Sequence, residues 1–183
     1  MTVYNTPSDS ANTAVRAFLT KVGEYYLGHS FNTSSGLGKK TWQKIREKRF
    51  RGRCAYCNKK DQHLQIEHLI MFNKTEYGLH HLGNVVPCCI KCNKREKRSD
   101  KTYMDWEEHL KAICEKNNEV DAFKKRKGAI ISHMKEKNYP VLTLEEKHAI
   151  EVIAKSLYEN IKMESEKSLM LYKKLDDTFI ESK

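Results

Sequence analysis

Two Cys-x-x-Cys pairs bracket the middle of the chain, and their side chains are the clearest candidates for metal chemistry. The pairs are Cys54/Cys57 and Cys89/Cys92. Each CxxC turn supplies two thiolates, and four thiolates form the tetrahedral site that Zn²⁺ takes in structural centres. Residues 58–88 separate the pairs, a longer gap than the roughly 15–20 residues that are usual, and a hairpin with its loop would account for the excess. We therefore predict a closed structural zinc site, which leaves no coordination position open for catalysis.

A second group of side chains, inside this bracket and just after it, suits hydrolysis. Glu67 and His68 are adjacent, and Asn93 directly follows the last cysteine. A carboxylate and an amide oxygen without a thiolate favour Mg²⁺ or Mn²⁺, and a neutral histidine suits a general base acting on water. Neighbouring residues of a strand point to opposite faces, so a pair that serves one site is expected at a strand end. This hypothesis requires Glu67, His68 and Asn93 to face one cavity.

The motifs follow one another in a characteristic order: CxxC, Glu-His-Leu from Glu67, Asn-Val from Asn84, and CxxC-Asn ending at Asn93. This order resembles that of the HNH, or ββα-metal, nucleases over residues 54 to about 100. The resemblance implies a ββα-metal core that hydrolyses DNA phosphodiesters with Mg²⁺ and leaves 5′-phosphate and 3′-hydroxyl ends. It also implies that His68 is the general base, that Glu67 and Asn93 are metal ligands, and that Asn84 ties the loop to the strands and so holds His68 in place.

The sequence departs from the family pattern in the positions that would contact metal and phosphate. Glu67 stands where many members carry Asp. Members often carry Lys a few residues after the last Asn, but here Glu96 intervenes between Arg95 and Lys97. The residue that contacts phosphate is therefore Arg95 or Lys97, and the sequence does not choose between them. His80 and His81 fall in the predicted hairpin loop, where one of them could contact phosphate or metal, but we interpret them as solvated.

The charge of the chain favours a polyanionic partner. Its 34 Lys and Arg residues exceed its 24 Asp and Glu residues, which gives a net charge of +10, and nucleic acid is the commonest partner of such a surface. The basic residues concentrate on both sides of the metal motifs. We predict that double-stranded DNA contacts Lys44, Arg46, Lys48, Arg49, Arg51, Arg53, Lys94, Arg95 and Lys97.

The distribution of apolar residues indicates an α+β fold with N- and C-terminal helices. The resemblance implies that these helices flank a ββα-metal HNH core, which carries the four-cysteine zinc site. Three regions are expected: an N-terminal helical segment and loop (1–40), the nuclease core with its zinc site (41–111), and a C-terminal helical region (112–183). Within them we predict a helix over 13–27 that stops at Gly28, strands over 64–71 and 84–87, a helix over 93–111, a polar stretch over 117–140, and a helix opened by a Thr143/Glu146 capping box.

Two other functions remain open at this point. A zinc-ribbon module that binds nucleic acid without catalysis would leave Glu67, His68 and Asn93 as incidental polar residues, and thiol–disulfide chemistry would require reactive CxxC thiols. The sequence carries no secretory signal pattern and no long apolar run, so we expect a cytoplasmic protein without membrane contact. An endonuclease of restriction, defence or a mobile element is the leading hypothesis, and a homodimer is a further expectation because one site cuts one strand.

Overall fold

The computed structural model describes residues 6–180 and shows a helix-rich α+β chain around one small sheet. The elements are α1 (Pro7–Leu27), α2 (Gly36–Lys44) with a π-helical turn (Ile45–Arg49), β1 (Gln65–His68), a 3-10 turn (Leu82–Asn84), β2 (Val85–Cys88), α3 (Trp106–Lys116), α4 (Ala122–Glu136) and α5 (Leu144–Ile180). The predicted α+β class is therefore confirmed.

The sheet is an antiparallel hairpin whose two ends lie in different surroundings. Gln65 pairs with Cys88 at the end nearest the cysteines, and His68 pairs with Val85 at the end nearest the long loop. His68 is thus the last residue of β1, which is the position expected for an adjacent pair that serves one site. The two strands have four residues each, so the hairpin needs support from outside the sheet.

Helices α1 and α5 pack antiparallel and form the second layer. Tyr26, near the end of α1, donates its hydroxyl to Glu146 in the first turn of α5. The helix pair holds the long loop against the hairpin, and α1 ends at Gly28, whose φ of 74° is the left-handed conformation that glycine adopts readily. The buried side chains that fill this interface are Ala11, Val15, Leu19, Ile150 and Ala154, together with Leu79 from the hairpin loop.

The segment after the second CxxC pair differs from the predicted helix over 93–111. Helix α3 begins only at Trp106, where Asp105 and Glu108 form a complete capping box. Before it the chain is irregular, and the Arg98 side chain cross-links it to the Tyr103 carbonyl and to Glu108. Because the first half of the predicted helix is densely basic, side-chain cross-links replace the helical ladder there.

Helix α4 lies within the polar stretch over 117–140, for which no helix is predicted. It buries Ile130 and His133, and the His133 ring bonds to the carbonyls of Leu82 and Val85 at 3.0 Å. Because most of α4 is basic, its narrow buried face is hard to recognise in the sequence. That face contacts the start of β2.

Within residues 6–180, no helix combines the length and apolar character needed to cross a membrane.

Gly23 lets α1 approach the loop closely, and its replacement should lower stability. A Cβ at position 23 would lie 2.4 Å from the His80 carbonyl oxygen, whereas a Cβ at Gly128, exposed in α4, meets no atom within 4 Å. We expect Gly23→Ala to cost about 2 kcal/mol by overpacking and Gly128→Ala to gain up to about 1 kcal/mol from helix propensity. Urea denaturation of the zinc-loaded protein measures both, and a stabilised Gly23→Ala would contradict this packing.

Candidate metal centre and catalytic cleft

The four CxxC cysteines meet at one end of the hairpin. Their sulfur atoms all lie within 4.8 Å of one another, and all four residues are buried. The Sγ atoms of Cys57 and Cys89 are 3.8 Å apart, which is about the edge of a tetrahedron with 2.3 Å metal–sulfur bonds. The chain therefore brings together a four-thiol cluster that can bind a metal ion, and its geometry and donor set fit Zn²⁺.

Backbone hydrogen bonds hold the two CxxC turns in place. Asn58 N donates to Cys54 O at 2.9 Å, and Asn93 N donates to Cys89 O at 3.0 Å. Ala55 N donates to Pro87 O at 2.8 Å, which joins the first turn to β2. Cys88 is also buried, but it lies in β2 and is not one of the four clustered ligands.

Hydrogen bonds among the thiols redistribute their proton affinities. The hydrogen bond to Cys57 lowers the pKa of Cys54 far below the ordinary thiol value, and the same interaction raises the pKa of Cys57 to about 11. The neighbouring thiols therefore stabilise negative charge on one sulfur at a time. A bound cation supplies the charge that allows all four to ionise.

A cleft of about 560 Å³ lies at the other end of β1. Glu67 and His68 line it from the strand end, Arg16 from α1 and Lys74 from the hairpin loop. The carboxylate and the imidazole predicted for catalysis therefore share one cavity with two cationic side chains. Its walls are completed by Asn12, Met71, Phe72, Asn73, Thr75 and Tyr103.

The His68 ring is fixed by two aromatic rings of the hairpin loop, Phe72 and His80. It stacks on Phe72 with ring centres 4.7 Å apart, and its Nε2 lies 2.9 Å from Nδ1 of His80. His80 stacks in turn on Phe31, with ring centres 4.9 Å apart. Burial, assisted by nearby positive charge, lowers the pKa of His68 to about 3, so this imidazole is neutral at physiological pH.

The contact between the two histidines restricts their tautomers. Burial lowers the pKa of His80, and the Phe31 backbone carbonyl opposes the shift. The 2.9 Å contact between Nε2 of His68 and Nδ1 of His80 requires one ring to donate and the other to accept. When Nε2 of His68 is the donor, Nδ1 of His68 is the unprotonated nitrogen.

Glu67 is held by a buried ion pair with Arg95. Nε and Nη2 of Arg95 lie 2.8 and 2.7 Å from the same carboxylate oxygen, Oε1. Nη2 also donates to the backbone carbonyls of His68 and Leu69 at 2.6 and 2.7 Å. Burial raises the pKa of Glu67, and the charge of Arg95 opposes the rise. The Arg95 side chain is only 4% exposed, so it is used inside the fold and is not displayed to a ligand.

Asn84 closes the long loop through all of its side-chain groups. Its Oδ1 accepts from Ile70 N at 2.8 Å, and its Nδ2 donates to the carbonyls of Ile70 and Leu79 at 2.9 and 2.8 Å. Asn84 is fully buried, so each of these bonds is made in the protein interior, where losing it would be costly. The side chain joins both ends of the segment between Ile70 and Leu79, which begins two residues after His68.

Asn93 does not line the cleft. Its Nδ2 donates to Oε1 of Gln65 at 2.8 Å, and Gln65 lies one strand repeat before Glu67 on the same face of β1. Glu67 and His68 line one cavity as the hypothesis requires, and Asn93 is not among the residues that line it. Glu67 is bound to Arg95 and Asn93 to Gln65, and both contacts oppose their joint ligation of Mg²⁺.

The predicted DNA-contacting residues divide into a solvent-exposed group and a group whose side chains form ion pairs within the protein. Arg46 and Arg49 are partly buried and pair with Glu47 and Glu136 at 2.7 and 3.2 Å. The exposed residues lie in the segments that precede and follow the hairpin. The Arg95 side chain is buried. The exposed members are Lys44, Lys48, Arg51, Arg53, Lys94 and Lys97.

Three residues that shape the cleft have no distinct signal in the sequence. Arg16 and Phe31 lie far from the metal motifs, and His80 follows His68 by twelve positions in a segment without periodicity. His81, interpreted as solvated, is 1% exposed and accepts from Gly83 N at 3.1 Å. These roles arise from the packing of α1 and the loop against the strand end, and spacing alone could not reveal them.

The chain matches no protein-family model, and no curated protein or solved structure is significantly similar to it.

Removing one clustered thiol should abolish metal binding, whereas removing its neighbour should not. We expect Cys89→Ser to lose stoichiometric zinc and to unfold the hairpin, because a structural zinc site contributes roughly 10–16 kcal/mol to folding in small modules. Cys88→Ser is the matched control, since Cys88 is also buried but lies outside the cluster. Elemental analysis and thermal melting distinguish the two variants, and equal zinc content in both would contradict the ligand assignment.

Proposed function

We propose that this chain is an HNH-like endonuclease that hydrolyses phosphodiester bonds of double-stranded DNA. The observation that carries the proposal is the shared cleft, in which Glu67 and a neutral His68 lie beside cationic side chains. A neutral imidazole can accept a proton from water, and cations beside it suit a phosphate group. The order of the sequence motifs supports the same reaction.

His68 is the general base in this proposal, and His80 is a positioning residue. We propose that Nε2 of His68 donates to His80 across their 2.9 Å contact, and in that tautomer Nδ1 is the atom that takes a proton from the attacking water. The water oxygen bonds to phosphorus as the bond from phosphorus to the 3′ oxygen breaks, and the released alkoxide takes a proton from solvent. His80 keeps the His68 ring in one tautomer and one orientation, as the partner of a catalytic histidine commonly does.

Arg16 and Lys74 are proposed to bind the phosphates on either side of the scissile bond. Arg16 is exposed on α1, and Lys74 is exposed in the hairpin loop, where its Nζ lies 3.8 Å from the centre of the Tyr158 ring. The exposed basic residues flanking the hairpin extend this positive surface. Phosphate contacts of this kind give affinity that is tolerant of sequence and sensitive to salt.

The proposal includes two kinds of metal ion with different tasks. Zn²⁺ at Cys54, Cys57, Cys89 and Cys92 has a structural role, consistent with the four-thiol cluster. Mg²⁺ or Mn²⁺ remains the proposed catalytic ion, with Glu67 and Asn93 as its ligands, and such an ion supplies Lewis-acid stabilisation of the phosphate when bound. The contacts of Glu67 to Arg95 and of Asn93 to Gln65 oppose that ligation. The proton transfer to His68 and the displacement at phosphorus are therefore assigned to the side chains of this chain.

The same contacts favour the second candidate, a zinc module that binds nucleic acid without cleaving it. In that case the ion pair between Glu67 and Arg95 is a structural link between β1 and the segment that follows the cysteines. The two candidates share the metal cluster and the basic surface. They differ in whether His68 performs chemistry.

The decisive measurement is plasmid nicking by the zinc-loaded protein with Mg²⁺ or Mn²⁺ added or omitted. Omission replaces chelation because a chelator would also remove zinc from the thiol cluster. We expect His68→Ala to lower the cleavage rate by about 10²-fold or more, the usual contribution of a general base, with DNA binding unchanged. His63→Ala is the matched control, since His63 is exposed and does not line the cleft.

Two outcomes would overturn the endonuclease. If His68→Ala loses binding and cleavage in equal measure, His68 is not the base. If zinc-loaded, folded protein binds DNA but cuts it with neither ion, the binding module is the better description.

The basic segment before the first CxxC pair should carry part of the DNA affinity. Neutralising Lys44, Arg46, Lys48 and Arg49 together should weaken binding and reduce the salt slope by roughly one for each phosphate that the variant no longer neutralises. Fluorescence anisotropy at several salt concentrations measures the slope, and identical slopes for this variant and its control would remove the basic segment from the DNA path. The control neutralises four exposed lysines elsewhere, namely Lys21, Lys135, Lys147 and Lys155.

A further inference from the structure

The second half of α5 extends beyond the helix that covers its first half. Helix α5 has 37 residues, about 55 Å at 1.5 Å per residue. Helix α1 runs antiparallel along it, and Ser8 at the start of α1 lies beside Tyr158. Past this point large apolar side chains are exposed: Leu169 is 55%, Tyr172 64% and Leu175 47% exposed.

These exposed residues continue the face that α1 covers. At 100° per residue, they lie on the same stripe of the helix as the residues packed against α1. Ser165, Ser168 and Asp176 also lie on this half of the stripe, but its large side chains are apolar. A stripe that is buried along half of a helix and carries exposed large apolar side chains along the other half indicates a second covering partner. The residues on the covered half are Ile150, Ala154 and Tyr158, which are buried, and Ile161, which is partly buried beside them.

The charges that border this stripe are self-complementary in one arrangement. Lys162, Glu166, Lys173 and Asp177 lie along a single edge of it and alternate in sign. When the segment pairs antiparallel with a copy of itself about a two-fold axis between positions 169 and 170, Lys162 meets Asp177 and Glu166 meets Lys173. In an antiparallel pair the same edge of each helix faces its own copy, so symmetry makes both ion pairs twice.

A parallel pair does not use these charges. There a residue on this edge faces the residue five positions earlier on the other edge of its partner, which for Glu166 is Ile161. Within residues 6–180, Glu166, Lys173 and Asp177 form no ion pair, although Lys162 and Lys167 pair with Glu159 and Glu164. Within residues 6–180 of one copy, three of the four charges on this edge therefore have no ion-pair partner.

We propose that residues 162–177 of α5 bind the same segment of a second copy of this chain, as an antiparallel two-fold pair. The first half of α5 packs on α1 and so preforms the helix, which lowers the ordering cost of association. The segment is short, about 24 Å, so the dimer is expected to dissociate in the micromolar range. This interface does not depend on the endonuclease activity, because none of its residues lines the cleft.

Charge reversal and charge exchange test the arrangement. In sedimentation velocity of the full zinc-loaded chain at low salt, Glu166→Lys and Lys173→Glu should each weaken dimerisation about tenfold, because each replaces two attractive pairs with two repulsive ones. The double variant should restore the affinity, since the pairs are then exchanged. Lys167→Glu is the matched control: Lys167 lies on the opposite side of the helix, and its reversal should change little.

Three results would overturn the proposal: a monomer at a chain concentration of about 100 µM, a dimer that ignores both single reversals, or a double variant weaker than either single one. Circular dichroism confirms that each variant keeps its helix content. Nicking assays on the same variants separate this inference from the proposed function. A dimer that cuts no DNA would contradict only the proposed endonuclease activity. A monomer that nicks DNA would contradict only the proposed interface.

Discussion

The four-thiol cluster is the constraint on which the rest of the site depends. Two strands of four residues bury too little surface to persist alone, and the cysteines fasten the end where Gln65 pairs with Cys88. Asn84 fastens the opposite end through three hydrogen bonds. With both ends fixed, the strand between them has one register, and His68 has one place at its terminus.

The buried pair of Glu67 and Arg95 connects this hairpin to the irregular segment that follows it. Arg95 satisfies one carboxylate and two backbone carbonyls at once. Removing one partner of such a pair leaves an uncompensated buried charge, which is more damaging than never having had the pair. The same contact opposes metal binding at Glu67, so structural support and ligand availability compete at this carboxylate.

Local sequence signals predict the elements that local interactions create. CxxC spacing indicates the thiol cluster, Gly28 marks the end of α1, and Thr143 with Glu146 forms the expected capping box at the start of α5. The contacts of His80 and Arg95, and the late start of α3, depend on residues that are distant in the chain or on side-chain cross-links. The sequence does not encode these by spacing, so only the assembled structure reveals them.

Residues outside the metal motifs complete the cleft. The core at residues 41–111 therefore cannot form the whole cleft without the N-terminal region. Phe31 orients His80, Gly23 lets α1 approach the His80 backbone, and Arg16 supplies charge. A fragment reduced to residues 41–111 would keep the cysteines and the hairpin but would lose all three. The cleft therefore cannot be formed by the core segment alone. An evolutionary transfer to another scaffold would have to carry the N-terminal helix with it.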